Sequence, residues 1–99
     1  MTRIAFLLLI AVSLSSSLQA QQPEQRFREA GEAYASAEFQ DAIRILLSLE
    51  RDGYAGYEVY FNLGNAYYKN GNLGASMLYF EKALRKDPGN EDVLHNIRV

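Results

Sequence analysis

From residue 24 onward the apolar positions keep a helical beat. Tyr60, Leu63, Gly64, Tyr67 and Tyr68 fall on one face of a helix. The spacing predicts helices over about 24–36, 39–51, 57–69, 73–86 and 91–99. Between the third and fourth lies Asn70-Gly71-Asn72. Gly71 suits a left-handed helix end, and Asn72 suits the cap of the next helix. Pro88 cannot continue a helix and biases Asp87 away from the helical region.

The beat itself repeats. Residues 23–56 lie over 57–90 without a gap, a period of 34. Four positions are identical: Glu24/Glu58, Phe27/Phe61, Tyr34/Tyr68 and Arg51/Arg85. Small residues coincide at Ala30/Gly64, Ala37/Gly71 and Ala42/Ser76. Large apolar residues coincide at Phe39/Leu73, Ile43/Met77 and Leu46/Phe80. Gly64 and Ser76 are expected to be small because two helices cross closely there. Residues 91–99 begin a third copy, with Asn96-Ile97 matching Asn62-Leu63.

A period of 34 with two helices per unit is that of tetratricopeptide (TPR) repeats. The second copy resembles the TPR pattern at Tyr60, Leu63-Gly64, Tyr67, Ser76, Phe80, Ala83 and Pro88. The first copy departs from it, with Glu29 at the leucine slot, Ala33 at the tyrosine slot and Tyr54 at the proline slot. The resemblance implies an all-α helix-turn-helix solenoid, with two full repeats plus the first helix of a third.

The first 20 residues stand outside this pattern. Arg3 precedes an eleven-residue apolar run, Ile4 to Leu14, broken only by Ser13. Three serines follow, then Leu18-Gln19-Ala20. The run fits the apolar region of a secretory signal and is too short to span a bilayer as a helix. The expectation is a signal peptide at 1–20, a repeat domain at 21–99 and an exported protein, periplasmic and possibly at the inner membrane. The other reading is a retained membrane anchor.

Composition narrows the chemistry. About half the chain is apolar, enough for a core. There is no cysteine, which removes disulfides, thiolate metal sites and cysteine nucleophiles. His95 is the single histidine. A net charge of −2 without a basic stripe argues against nucleic acid. No serine has a nucleophile-elbow context, and Glu91-Asp92 at a helix start complement the helix dipole. No enzyme, cofactor or metal is expected. The expected partner is a protein or peptide, with self-association as an alternative.

In stacked helix pairs the first helix of each pair lines the concave side. Carried over position by position, the candidates there are Phe27, Arg28 and Tyr34 in the first repeat. In the second they are Glu58, Phe61, Asn62, Asn65, Tyr68 and Lys69, and His95 and Asn96 extend the row. Asn62 and Asn65 lie about one turn apart and can hydrogen-bond a peptide backbone. Some TPR co-chaperones clamp a partner's terminal carboxylate with lysines and an arginine. The corresponding places here hold Phe27, Gly31, Asp92 and Asn96, and an acid where a lysine is needed argues against that mode.

A narrower resemblance rests on Tyr60 to Lys69, Gly71 to Gly74, Tyr79 to Leu84 and Pro88 to Asn96. Together with the leading apolar segment, these runs resemble the N-terminal part of the BatE family. Its members are the TPR-bearing Bat (aerotolerance-operon) proteins of Bacteroidetes-type bacteria. That resemblance implies assembly of a complex at the inner membrane. Such proteins usually continue into a transmembrane helix and a small SH3-like domain. With two and a half repeats, Val93, Ile97 and Val99 are expected to be exposed apolar residues on the last helix, open to self-association or to a missing continuation.

Overall fold

The computed structural model describes residues 21–98; the expected signal segment at 1–20 and the side chain of Val99 lie outside them. The described residues form five helices in chain order: α1 Pro23–Ala35, α2 Phe39–Arg51, α3 Tyr57–Lys69, α4 Leu73–Lys86 and α5 Glu91–Arg98. Each packs against the next in sequence. Among the described residues no helix is long and apolar enough to cross a membrane.

Local chemistry sets the helix ends. Pro23 opens α1, where its missing N–H costs nothing. This start places α1 one residue earlier than the spacing predicts, and the helix closes at Ala35. The Asn72 side chain accepts a hydrogen bond from the Ala75 N–H at 3.1 Å and caps α4. Asn90 accepts from the N–H groups of Asp92 (3.0 Å) and Val93 (3.3 Å) and caps α5. The turns after α1 and α3 are copies 34 residues apart. The N–H of Ala37 donates to Tyr34 and that of Glu38 to Ala33; the N–H of Gly71 donates to Tyr68 and that of Asn72 to Tyr67. Both turns need a left-handed residue, with φ +60° at Ala37 and +84° at Gly71. Glycine supplies that conformation freely, whereas alanine pays a steric cost.

The core has two parts. The first joins Ala30, Ala33, Ala42, Ile43, Leu46 and Leu49 to Val59, Leu63, Ala66 and Tyr79, so it runs from α1 through α4. The second holds Phe80, Ala83 and Val93, with Tyr60, Phe61 and Ile97 packed against it. Tyr60 and Tyr67 are half-buried against the first cluster. The tightest point lies between α3 and α4. A Cβ on Gly64 would overlap the Phe80 ring, and the Ser76 hydroxyl donates to the Gly64 carbonyl at 2.7 Å. The expected close crossing at Gly64 and Ser76 is therefore present.

A polar cluster links the first helix pair to the second. Tyr79 donates its hydroxyl proton to Glu50 at 2.9 Å, and Lys82 donates to the same carboxylate at 3.4 Å. The Lys82 ammonium sits 4.9 Å from the centre of the Tyr79 ring. The Tyr79 ring stacks on Tyr67 at 5.7 Å. Burial, then the hydrogen bond to Glu50, pushes the Tyr79 phenol well above its ordinary range.

One expectation is corrected. Val93 is fully buried and Ile97 is half-buried, because α5 turns both toward Phe80 and Ala83. The exposed apolar edge belongs to α3 and α4 instead. Tyr68 is 48%, Leu73 60% and Met77 40% exposed. Their partners one repeat earlier, Tyr34, Phe39 and Ile43, are half-buried or buried.

Two stability predictions follow from these contacts. Gly64→Ala forces a methyl into the Phe80 ring and should cost about 1–3 kcal/mol, seen as a lower urea midpoint. An unchanged midpoint would show that α3 and α4 separate freely. Ala37→Gly should raise stability by about 0.5–1 kcal/mol, the relief of left-handed strain less the entropy glycine adds to the unfolded chain. A lower midpoint for that variant would mean that the alanine is unstrained.

Candidate partner-binding groove

The first helices of successive pairs, α1, α3 and α5, line up so that residues 34 apart share a row. One row reads Arg28, Asn62 and Asn96; a second reads Phe27, Phe61 and His95; a third reads Tyr34 and Tyr68. Three recesses open along these helices.

The first recess, about 210 Å³, lies between α1 and α3 and is lined by Ala30, Gly31, Tyr34, Leu46, Asn62 and Asn65. Its walls are small or apolar, and the two amides bring the polar groups. Gly31 has open space where a Cβ would stand, so α1 leaves the recess clear. Tyr34 is held by an edge-on contact with Phe39 at 5.4 Å. The second recess, about 190 Å³, lies between α3 and α5 and is lined by Asn65, Tyr68, Lys69, Phe80, His95 and Asn96. Asn65 belongs to both. Its side-chain oxygen accepts a hydrogen bond from the Asn96 amide at 2.8 Å, which ties α5 to α3 across the groove. Among the described residues the two N–H donors of the Asn65 amide make no hydrogen bond, and they remain for other partners.

The third recess, about 550 Å³, sits at the N-terminal ends of α1 and α3. Pro23, Phe27, Leu49 and Val59 give it an apolar floor, and Glu24 and Glu58 stand at its walls beside Tyr54. The Arg26 guanidinium lies 5.7 Å from the Tyr54 ring and pairs with Asp52 at 2.8 Å.

All but two of the candidate residues thus fall in the three recesses. Tyr34, Asn62 and Asn65 meet in the first recess; Asn65, Tyr68, Lys69, His95 and Asn96 meet in the second; Phe27 and Glu58 meet in the third. Arg28 is exposed and lines none of the three, and neither does Phe61. Phe61 is engaged in packing: it stacks on Tyr57 at 5.7 Å and leans on Phe80 at 6.1 Å. Tyr57 in turn has its phenol raised, first by burial and then by the charges of Asp92, Asp87 and Glu58.

Sequence reasoning missed Tyr54, Ala30, Gly31 and Leu46 as lining residues. Tyr54 did carry a signal, since an aromatic stands there in place of the repeat's usual proline. The others read as ordinary core positions, and only the helix packing shows which of them border a recess.

A family model described as tetratricopeptide repeat matches residues 27–91, well over half the chain. No match was found among curated proteins or among solved structures.

Proposed function

Since the chain belongs to the tetratricopeptide repeat family, we propose that it is a non-enzymatic scaffold that holds a partner protein or peptide on the face of α1, α3 and α5. TPR repeats generally mediate protein–protein interaction and are typically non-catalytic. The observation that carries the reading is the recess between α1 and α3. It offers an apolar slot beside two amides one helical turn apart, which suits a side chain together with its own main chain.

The finer reading concerns place. Arg3, the apolar run Ile4 to Leu14 and Ala20 support export of the chain, with the bound complex in a periplasm at the inner membrane. The run Glu91-Asp92 to Asn96 supports a role like that of the BatE family. The test is cross-linking in the native cell, comparing the full chain with Asn62→Ala/Asn65→Ala. The wild type should capture a defined partner that the double variant loses by about tenfold or more, and the recovered protein should begin at Gln21. Equal capture by both would remove the groove from the binding site, and an N-terminus at Met1 would remove processing.

A second reading has its own observation. The exposed edge of Tyr68, Leu73 and Met77 favours self-association. Sedimentation should then show a concentration-dependent dimer that Met77→Glu converts to a folded monomer. A wild-type monomer at high concentration would sink this reading and leave the scaffold standing.

A further inference from the structure

The recess at the N-terminal ends of α1 and α3 has a chemistry of its own. Its floor is apolar, formed by Phe27, Leu49 and Val59, and its two carboxylates come from one repeat position. Glu24, Glu58 and Asp92 are 34 residues apart and all lie in the first turn of their helices. An acid in a first turn is stabilised by the helix dipole, which accounts for each one singly. The dipole does not require that the acids face an apolar recess, nor that they go unpaired. Among the described residues, none of the three makes an ion pair within 4.0 Å; the pairs present involve Asp41, Glu50 and Asp52. Two of the cations are engaged elsewhere. Arg26 is committed to Asp52 and Tyr54, and Lys82 to Glu50 and Tyr79. Arg28, one turn from Glu24, is exposed and forms no such pair among the described residues. The field of this row reaches Tyr57, whose phenol is raised first by burial and then by Asp92, Asp87 and, least, Glu58. At the opposite end of α3 the recess toward α5 is lined by Lys69 and by no acid.

We propose that this recess receives an extended peptide segment carrying alternate apolar and basic side chains. An apolar side chain fills the space over Phe27, Leu49 and Val59, and lysines or arginines lie against Glu24 and Glu58, with Asp92 continuing the row. The inference rests on the reading of the α1, α3 and α5 face as the binding face, and it adds the charge of the partner. Exposed pairs of this kind contribute modestly to affinity and more to the choice between partners, because a like-charged segment is repelled.

The test uses the full chain and two fluorescein-labelled peptides. They are identical in their leucines and differ only in carrying lysine or glutamate at the alternate positions between them. Anisotropy should show the lysine peptide binding and the glutamate peptide failing to bind. Raising the salt should weaken the lysine peptide. Glu24→Gln/Glu58→Gln should weaken it by about tenfold. Glu32→Gln/Glu38→Gln, which removes the same charge from another surface, should leave it unchanged. Equal binding of both peptides, no binding of the lysine peptide, or equal loss in the two double variants would each overturn the proposal. The scaffold reading fails separately: a native partner lost on Asn62→Ala/Asn65→Ala but indifferent to Glu24→Gln/Glu58→Gln would overturn the basic segment and keep the groove.

Discussion

The crossing of α3 and α4 at Gly64 sets where the last helix lies against the groove. With no side chain on Gly64, the Phe80 ring can lie directly on the α3 backbone, and the Ser76 hydroxyl satisfies the Gly64 carbonyl beneath it. Phe80 is 1% exposed, and its outer side is the platform on which Phe61, Val93 and Ile97 rest. The placement of α5 is therefore a consequence of how closely α4 approaches α3. That placement brings Asn96 within 2.8 Å of Asn65, a contact between helices that share no turn. A bulkier residue at 64 would lift Phe80, and the groove between α3 and α5 would shift with it.

The first helix pair solves the same packing problem with the volumes exchanged. Ala30 takes the place of Gly64, Leu46 that of Phe80, and Ala42 that of Ser76; all three are buried. A larger residue on the first helix is matched by a smaller one on the second, which keeps the interior dense. Polar links are also repositioned. At the slot of Lys82 stands Ser48, which accepts from Arg26 at 3.2 Å, while Lys82 itself reaches back to Glu50 in the first pair. The second pair is thus tied to the first through Tyr79, Lys82 and Glu50, a half-buried cluster that also fixes the two stacked tyrosines.

Much of this was legible because the repeat reports its geometry through residue size. Gly64, Ser76, Gly71 and Asn72 each announced a contact or a turn, and all four play the anticipated part. The helix ends at 39, 51, 57, 69, 73 and 86 were legible for the same reason. Exposure was harder. Val93 and Ile97 were expected outward because a short last helix lacks a neighbour on one side. The sequence does not state which way α5 rolls, and the Phe80 platform decides it. The same limit applies to the recesses, since a lining residue such as Leu46 has the composition of a core residue and differs only in what fails to cover it.

The two flanks of the stack differ in a way that constrains what can meet them. On α3 the side facing the first pair is built from Val59, Leu63 and Ala66, all buried. The same positions on α1 hold Gln25, Glu29 and Glu32, of which Glu29 accepts from Gln21 at 2.6 Å. Polar side chains there mean that α1 needs no helix laid over that side. On α4, by contrast, Leu73 and Met77 keep the apolar character of Phe39 and Ile43 while losing the cover. Head-to-tail stacking of identical chains would press that apolar edge against the acids of α1 and strand their charges, at a desolvation cost with no compensating pair. That cost disfavours head-to-tail stacking through this edge and leaves an edge-to-edge contact, with the same patch on both chains, as the less costly arrangement for like chains.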